Sequence, residues 1–164
     1  MGRRARSGTT IRGVGSIDVL YQEIILDHFR APRGEGNLRA PTATVDSNNP
    51  LCGDEVHLEV RVEEGKIAEL AHTGQGCSIS RSATSMLAEE AVGLEVDEAL
   101  DRIEYFRLML HGDAEPDEDR LGDAIALEGV AKFPARVKCA LLGWLALKEA
   151  LTADPAEGGS NGHR

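Results

Sequence analysis

The sequence has few aromatic residues, a shortage of basic residues and no long hydrophobic run. Phenylalanine, tryptophan and tyrosine make up 4% of the 164 residues, so the core must be built mainly from aliphatic side chains. The formal net charge of −10 argues against binding of nucleic acid, which needs a basic face for the phosphates. No apolar stretch approaches the roughly 20 residues that span a bilayer, so we expect no membrane segment.

Cysteine is also scarce, with three residues at Cys52, Cys77 and Cys139. An odd number of cysteines cannot all pair within one chain, which excludes a complete disulfide framework. Thiols that stay reduced are typical of the cytoplasm, where they serve metal or sulfur chemistry or fill the core. We therefore expect a cytoplasmic protein with free thiols.

Composition divides the chain into one domain and two tails. Residues 1–16 contain four arginines and no acidic residue, and residues 152–164 are mostly small and polar. Neither segment has enough apolar side chains to order itself by burial, so we predict a flexible tail at each end. Residues 17–151 are predicted to form the single domain that this length suggests.

Periodicity in the first half predicts a helix followed by strands. Apolar residues recur every three or four positions over 17–29, and Ser16 is a suitable N-cap. A short strand is predicted over 42–46. Strict alternation over 56–62 predicts a strand with one wet face, and the chain returns over 66–73 as its antiparallel partner.

The second half has the helical period. Stripes of apolar residues predict helices over 79–91 and 96–110, and Pro134 is predicted to open a third. Between them, the acidic stretch 113–123 is interpreted as a solvated loop, followed by a short helical turn over 123–127. The segregation of strands from helices predicts an α+β fold with helices packed on one face of a small antiparallel sheet.

Each cysteine lies at a junction between predicted elements. Cys52 shares a turn-rich loop with Asp54, Cys77 precedes a helix, and Cys139 lies in the first turns of the last helix. Such junctions commonly meet at one end of an α+β fold, and a helix N-terminus favours the thiolate, the form that binds metal. Three thiolates and one carboxylate would complete the tetrahedral set that zinc prefers. Spacing alone leaves the alternative of three separate buried thiols equally open.

The surroundings of the third cysteine are basic. Arg136 and Lys138 flank Cys139, and a zinc ion with these four ligands would carry a formal charge of about −2, which calls for nearby cations. The histidines are weaker candidates: for each of them, including His28, a satisfied or exposed side chain is the simpler interpretation.

The segments around these residues resemble the IscU/NifU-like iron–sulfur cluster assembly family. The similarity extends over most of residues 17–151 and is carried by four segments in the family's order: residues 20–33, 48–54 (NNPLCGD), 74–80 (GQGCSIS) and 133–140 (FPARVKCA). The resemblance is closest to the SufU branch. Scaffold-type members carry a histidine where this chain has Lys138, and residues 112–129 look like the insertion typical of SufU proteins.

This resemblance implies an IscU/SufE-like fold with a three-stranded sheet, and zinc held by Cys52, Asp54, Cys77 and Cys139. It implies a zinc-dependent sulfurtransferase that accepts persulfide sulfur from a pyridoxal-phosphate-containing, SufS-type cysteine desulfurase and passes it to downstream Suf assembly proteins. Cys52 is the predicted acceptor because it lies in a loop, and Arg136 is predicted to stabilise the released thiolate or the persulfide.

Two other functions stay open at this point. A scaffold could assemble a [2Fe–2S] cluster on the same four residues, since thiolate-rich sites accept iron as well as zinc. A purely structural zinc site in an interaction module is the third alternative. The residues do not decide whether the chain is an enzyme or a carrier that acts with one.

Overall fold

In the computed structural model, which describes residues 12–153, three strands form one antiparallel sheet in the order β1-β2-β3. Their bounds are β1 (Ala43–Asn49), β2 (Asp54–Glu63) and β3 (Lys66–Gln75). Glu64 and Gly65 connect β2 to β3 with φ values of 55° and 78°, the left-handed geometry that two-residue hairpin turns require. The predicted hairpin is therefore confirmed, and β1 extends further than the short strand expected over 42–46.

One α-helix precedes the three strands in the sequence, and four follow them. Their bounds are α1 (Arg12–Arg30), α2 (Ser78–Ala91), α3 (Val96–Leu110), α4 (Glu118–Leu121) and α5 (Pro134–Thr152). The predicted ends of α2 and α3 and the start of α5 at Pro134 are confirmed. None of the helices within residues 12–153 is both long and apolar enough to cross a membrane.

The start predicted for α1 is wrong. The helix begins at Arg12 rather than Ile17, so Ser16 lies inside it and is not its N-cap. The glycines in this stretch weaken a helix without blocking it as proline would, so α1 continues through them. Residues 1–11 and 154–164, which make up most of the two predicted tails, lie outside the described residues.

The acidic stretch after α3 is more helical than the sequence suggests. Asp117 caps α4 by accepting a hydrogen bond from the amide of Asp119 at 3.0 Å, and a run of 3-10 turns then covers Gly122–Lys132. Leu121, Ala124 and Leu127 recur every third residue and are fully buried. That spacing matches the three-residue period of a 3-10 helix, which aligns side chains three positions apart. The loop predicted over 113–123 is therefore shortened to its first residues, since α4 begins at Glu118, and the helical turn predicted over 123–127 is confirmed as part of the longer 3-10 run.

The core lies between one face of the sheet and the helices, as the α+β prediction requires. Helix α5 packs across β1 and β2, and its Trp144 is 1% exposed. The Trp144 ring stacks on Phe106 with the centroids 3.9 Å apart, and its indole N–H donates to the carbonyl of Ala83 at 2.8 Å. The two most deeply buried aromatic residues, Phe106 and Trp144, thus lie where α2, α3 and α5 meet.

Candidate metal centre

The loop between β1 and β2 carries the first two candidate ligands. Asn49 and Asp54 face each other across the two strands, so residues 50–53 form the turn. The amides of Cys52 and Gly53 both donate to the carbonyl of Asn49, at 3.1 and 2.9 Å, and Gly53 adopts a left-handed φ of 71°. This turn leaves Cys52 exposed, whereas Asp54 at the start of β2 is fully buried.

Cys77 reaches the same place from the end of β3. It is the N-cap of α2: its sulfur accepts a hydrogen bond from the amide of Ser80 at 3.5 Å. Its own amide donates to Asp54 Oδ1 at 2.9 Å, and its sulfur lies 3.9 Å from Asp54 Oδ2. A Cβ at Gly76 would lie 2.5 Å from Asp54 Oδ1, so glycine at this position leaves room for the carboxylate.

Helix α5 brings in the third cysteine. The Cys139 side chain is fully buried, and its sulfur lies 2.9 Å from the sulfur of Cys52. One ligand atom each from Cys52, Asp54 and Cys139 lies within 4.8 Å of the others, and Cys77 joins them through its contact with Asp54. The structure thus gathers the four residues that the resemblance implies as zinc ligands.

The electrostatics of this cluster favour a cation. Burial raises the pKa of the Cys139 thiol far above its usual range, and its hydrogen bonds with Cys52 and Asp54 raise it further. The carboxylate of Asp54 beside this sulfur repels a thiolate unless a positive charge lies between them. Three thiols and a carboxylate also match the soft and anionic donors that zinc accepts. The residues present therefore fit a zinc ion.

Arg136 and Lys138 occupy exposed positions at the start of α5. Together with Phe133 and the first residues of α2, Ser78 and Ile79, Arg136 lines a surface pocket of about 440 Å³ beside the cysteine cluster. Within the described residues, the sulfur atoms receive no hydrogen bond from Arg136. The predicted catalytic arginine thus shares a pocket with Ser78, the residue after Cys77, and among the described residues it does not hydrogen-bond a sulfur.

A second group of potential ligands lies elsewhere in the molecule: His28, Glu89 and Asp123. The sequence analysis interprets His28 as a satisfied or exposed histidine, and the structure shows that it is buried and satisfied. Its Nδ1 lies 2.7 Å from Ser85 Oγ, and its Nε2 lies 2.8 Å from Asp123 Oδ2. These contacts join residues 57 and 95 positions apart, which no sequence pattern predicts.

Sequence reasoning also passes over Asn49, whose side chain contacts Cys52. A local sequence pattern could have identified Asn49. An asparagine just before a turn commonly bonds the backbone two residues ahead, and here that places its amide next to the cysteine.

Comparisons with known proteins agree with this geometry. The NifU-like N-terminal domain family matches residues 20–140. The zinc-dependent sulfurtransferase SufU of Bacillus subtilis is 39% identical over 145 residues, which cover 88% of this chain and 97% of that protein. The iron–sulfur cluster assembly scaffold protein IscU of Streptococcus pyogenes is 41% identical over 138 residues, with 84% and 86% covered.

Solved structures support the same assignment. A crystal structure described as a putative iron–sulfur cluster assembly scaffold protein for the SUF system, from Fervidobacterium islandicum, is 34% identical and gives a TM-score of 0.75. The match covers 82% of this chain and 98% of that one. Because the family match spans the whole sheet, α2, α3 and all four clustered residues, the chain belongs to the NifU-like N-terminal domain family.

Proposed function

We propose that the protein is a zinc-dependent sulfurtransferase that accepts persulfide sulfur from a cysteine desulfurase for iron–sulfur cluster assembly. The observation that carries this proposal is the asymmetry of the cysteine cluster. Cys52 is exposed in a turn, while Cys139 and Asp54 beside it are fully buried. Such an arrangement suits one sulfur that reacts with a partner and several groups that stay in place.

The four residues divide into anchors and an acceptor. Asp54, Cys77 and Cys139 are fixed by a strand and two helices, so they would keep hold of the metal while Cys52 leaves it. Zinc, when bound, supplies a redox-inert positive charge that keeps the thiols deprotonated without oxidising them. The released Cys52 thiolate is the nucleophile.

The transfer itself is an exchange between sulfur atoms. The Cys52 thiolate attacks the outer sulfur of the persulfide on the desulfurase cysteine, and a new S–S bond forms as the donor's S–S bond breaks. The desulfurase cysteine leaves as a thiolate, and Cys52 carries the transferred sulfur with its proton. No external oxidant or reductant is needed. Arg136, in the pocket that Ser78 also lines, would stabilise the Cys52 thiolate and its persulfide through its permanent charge.

Exposed apolar side chains beside the site support docking of a protein partner. Leu51, next to Cys52 in the turn, is 79% exposed, and Phe133 at the start of α5 is 58% exposed. Large apolar groups around a reactive thiol are typical of a surface that a partner covers. We assign this surface to a SufS-type cysteine desulfurase, with Suf assembly proteins as later acceptors and the reducing cytoplasm as the location.

A [2Fe–2S] scaffold is the second candidate. It is favoured by the 41% identity to a protein named as an IscU scaffold, and the same four side chains suit an iron–sulfur cluster. Lys138 weighs against it, because an exposed lysine before Cys139 cannot act as the additional ligand that a histidine there would provide.

One experiment separates the two functions. The purified protein is analysed for zinc and iron and then mixed with a SufS-type desulfurase and free cysteine. We expect bound zinc, faster cysteine turnover, and the added mass of a sulfur atom on the Cys52 peptide, with no such adduct in Cys52→Ser. Bound iron with cluster absorption and no adduct on Cys52 would support the scaffold instead.

A further inference from the structure

Asn49 holds the β1–β2 turn through both its backbone and its side chain. Its carbonyl accepts the amides of Cys52 and Gly53, and its Oδ1 accepts the amide of Leu51 at 3.2 Å. The residue is 8% exposed, so these hydrogen bonds are largely shielded from water. The conformation of the turn that presents Cys52 therefore depends on this one residue.

The contact with Leu51 also fixes the orientation of the amide group. Because Oδ1 must face the Leu51 N–H, Nδ2 is left on the other side, where it lies 3.6 Å from the sulfur of Cys52. An amide N–H that donates to a thiolate makes a charge-assisted hydrogen bond, which is stronger than one to a neutral acceptor.

The three sulfur atoms differ in their donors. Cys77 accepts from the Ser80 amide of α2, and Cys139 is directed at the carbonyl of Ala135. Among the described residues, the Cys52 sulfur receives a hydrogen bond from the Asn49 side chain and otherwise hydrogen-bonds only with the thiol of Cys139. Once Cys52 is a free thiolate, Asn49 is the neutral protein donor in place to stabilise it.

We propose that Asn49 is a positioning residue for sulfur transfer, which directs the Cys52 sulfur toward Cys139 and Asp54 and stabilises its thiolate when it is released. The proposal deepens the proposed function and rests on it for the identity of the reaction. The contact between Asn49 and Cys52 itself is independent of which partner supplies the sulfur.

The test compares two variants that add the same charge. Asn49→Asp keeps the shape and the acceptor for Leu51 but removes the donor and puts a carboxylate beside Cys52. Asn48→Asp, at the preceding exposed position of β1, is the matched control. With the SufS-type desulfurase, we expect kcat for sulfur uptake to fall about tenfold or more in Asn49→Asp, with little change in KM for the desulfurase. Asn48→Asp should behave as wild type.

A second measurement uses the metal-free protein. Iodoacetamide is added at neutral pH, and alkylation of the Cys52 peptide is followed by mass spectrometry. Loss of the donor should slow this reaction by a similar factor in Asn49→Asp and not in Asn48→Asp. Alkylation of Cys77 serves as the internal reference, because its donor from Ser80 is unchanged.

The outcomes distinguish the two proposals. Equal alkylation and equal sulfur uptake in both variants would overturn the role of Asn49. Slower alkylation in Asn49→Asp, with no sulfur uptake even by wild type, would support Asn49 and overturn the proposed function. If Asn49→Asp does not fold, Asn49→Ser is compared with Asn48→Ser in the same two assays, and equal rates again overturn the role.

Discussion

Residues 12–153 contain two clusters of potential metal ligands, and they differ in how their polar atoms are paired. In the cysteine cluster, thiols and a carboxylate face one another, with the sulfur atoms of Cys52 and Cys139 2.9 Å apart. In the histidine cluster, both nitrogens of His28 already have an oxygen partner within 2.8 Å. Among the described residues, no basic side chain is bonded to the first set, whereas the second already pairs an imidazole with carboxylates.

The two clusters also differ in what they join. The cysteines lie around an exposed turn at one end of the sheet, whereas His28 connects α1 to Ser85 in α2 and to Asp123 in the 3-10 run. Ser85 accepts a further hydrogen bond from the amide of Arg33 at 2.8 Å. Proximity of ligand-type residues thus does not by itself indicate a metal site. A cluster whose polar atoms already have hydrogen-bond partners is structural, whereas a cluster whose thiols and carboxylate face one another is suited to holding a metal ion.

The largest effect is expected from Cys139→Ser. Serine is a poor ligand for zinc, so the variant should purify with almost no metal, and sulfur uptake should fall by more than about 100-fold, since even residues that support a ligand are worth 10–100-fold. The zinc content of the purified variant is measured by inductively coupled plasma mass spectrometry. Chelation should lower the Tm of wild type but leave that of Cys139→Ser unchanged, because there is no bound metal left to stabilise the fold. Stoichiometric zinc in this variant would contradict the assignment.

His28→Ala should have the next largest effect, on stability alone. The change removes one of the two hydrogen-bond partners of the buried Ser85 hydroxyl and opens a cavity, so the free energy of unfolding should fall by about 3 kcal/mol. Urea unfolding measures this, and the zinc content should match wild type. His111→Ala is the control, because His111 is exposed and bonds only its own helix. Loss of zinc in His28→Ala would show that the two clusters are not separate.

A smaller effect on the cysteine cluster is expected from Gly76→Ala. The added Cβ would lie 2.5 Å from Asp54 Oδ1 and push the carboxylate out of place, so zinc affinity should fall about tenfold. A competition titration with a chromogenic chelator gives the affinity. Gly129→Ala, whose Cβ would have no neighbour within 4 Å, should bind zinc as wild type does. Unchanged affinity in Gly76→Ala would remove Asp54 from the ligand set.

The smallest effect concerns a third histidine, His57, which lies on the outer face of the sheet between two carboxylates. Hydrogen bonds with Asp46 first, and then with Glu59, raise its pKa. A raised pKa means that the stabilisation is complete below the unfolded value of about 6.5 and is lost as the pH rises through the folded value. Because the side chain is 33% exposed, we expect less than about 1 kcal/mol.

The measurement is the urea midpoint of wild type and His57→Gln at about pH 6 and about pH 9. Wild type should lose more stability than the variant between these values. Equal losses would show that the hydrogen bonds of His57 with Asp46 and Glu59 add nothing measurable to stability, unlike those of the buried His28.

Local patterns predict much of this fold. The alternation in β2, the turn at Glu64 and Gly65, and the glycine and proline boundaries of α2, α3 and α5 are all visible in the sequence, because each reflects a short-range preference of the backbone. The start of α1 and the full length of the 3-10 run are not predicted, although a helical turn is predicted over 123–127. The first extends through weak helix formers, and the second follows a period of three, which a search for α-helices misses.

The candidate site is predicted in its membership and not in its contacts. The junction positions leave a shared site and three separate thiols equally open, and it is the family resemblance that selects the four residues which the structure brings together. The exposure of Cys52 against the burial of Cys139 depends on how α5 packs on the sheet, and the hydrogen bond from Asn49 depends on the conformation of one turn. Both are set by tertiary structure, which periodicity does not encode.

The sequence separation within the cluster has a consequence for the order in which the protein is made. Cys52 and Cys139 touch although they are 87 positions apart in the sequence. During synthesis, the strands and α2 can form while the last ligand is still missing, and the set closes only when α5 has emerged and packed. Stable retention of zinc then reports that the C-terminal helix is in its native position, so a truncated or misfolded chain would release its metal and be distinguished from a finished one.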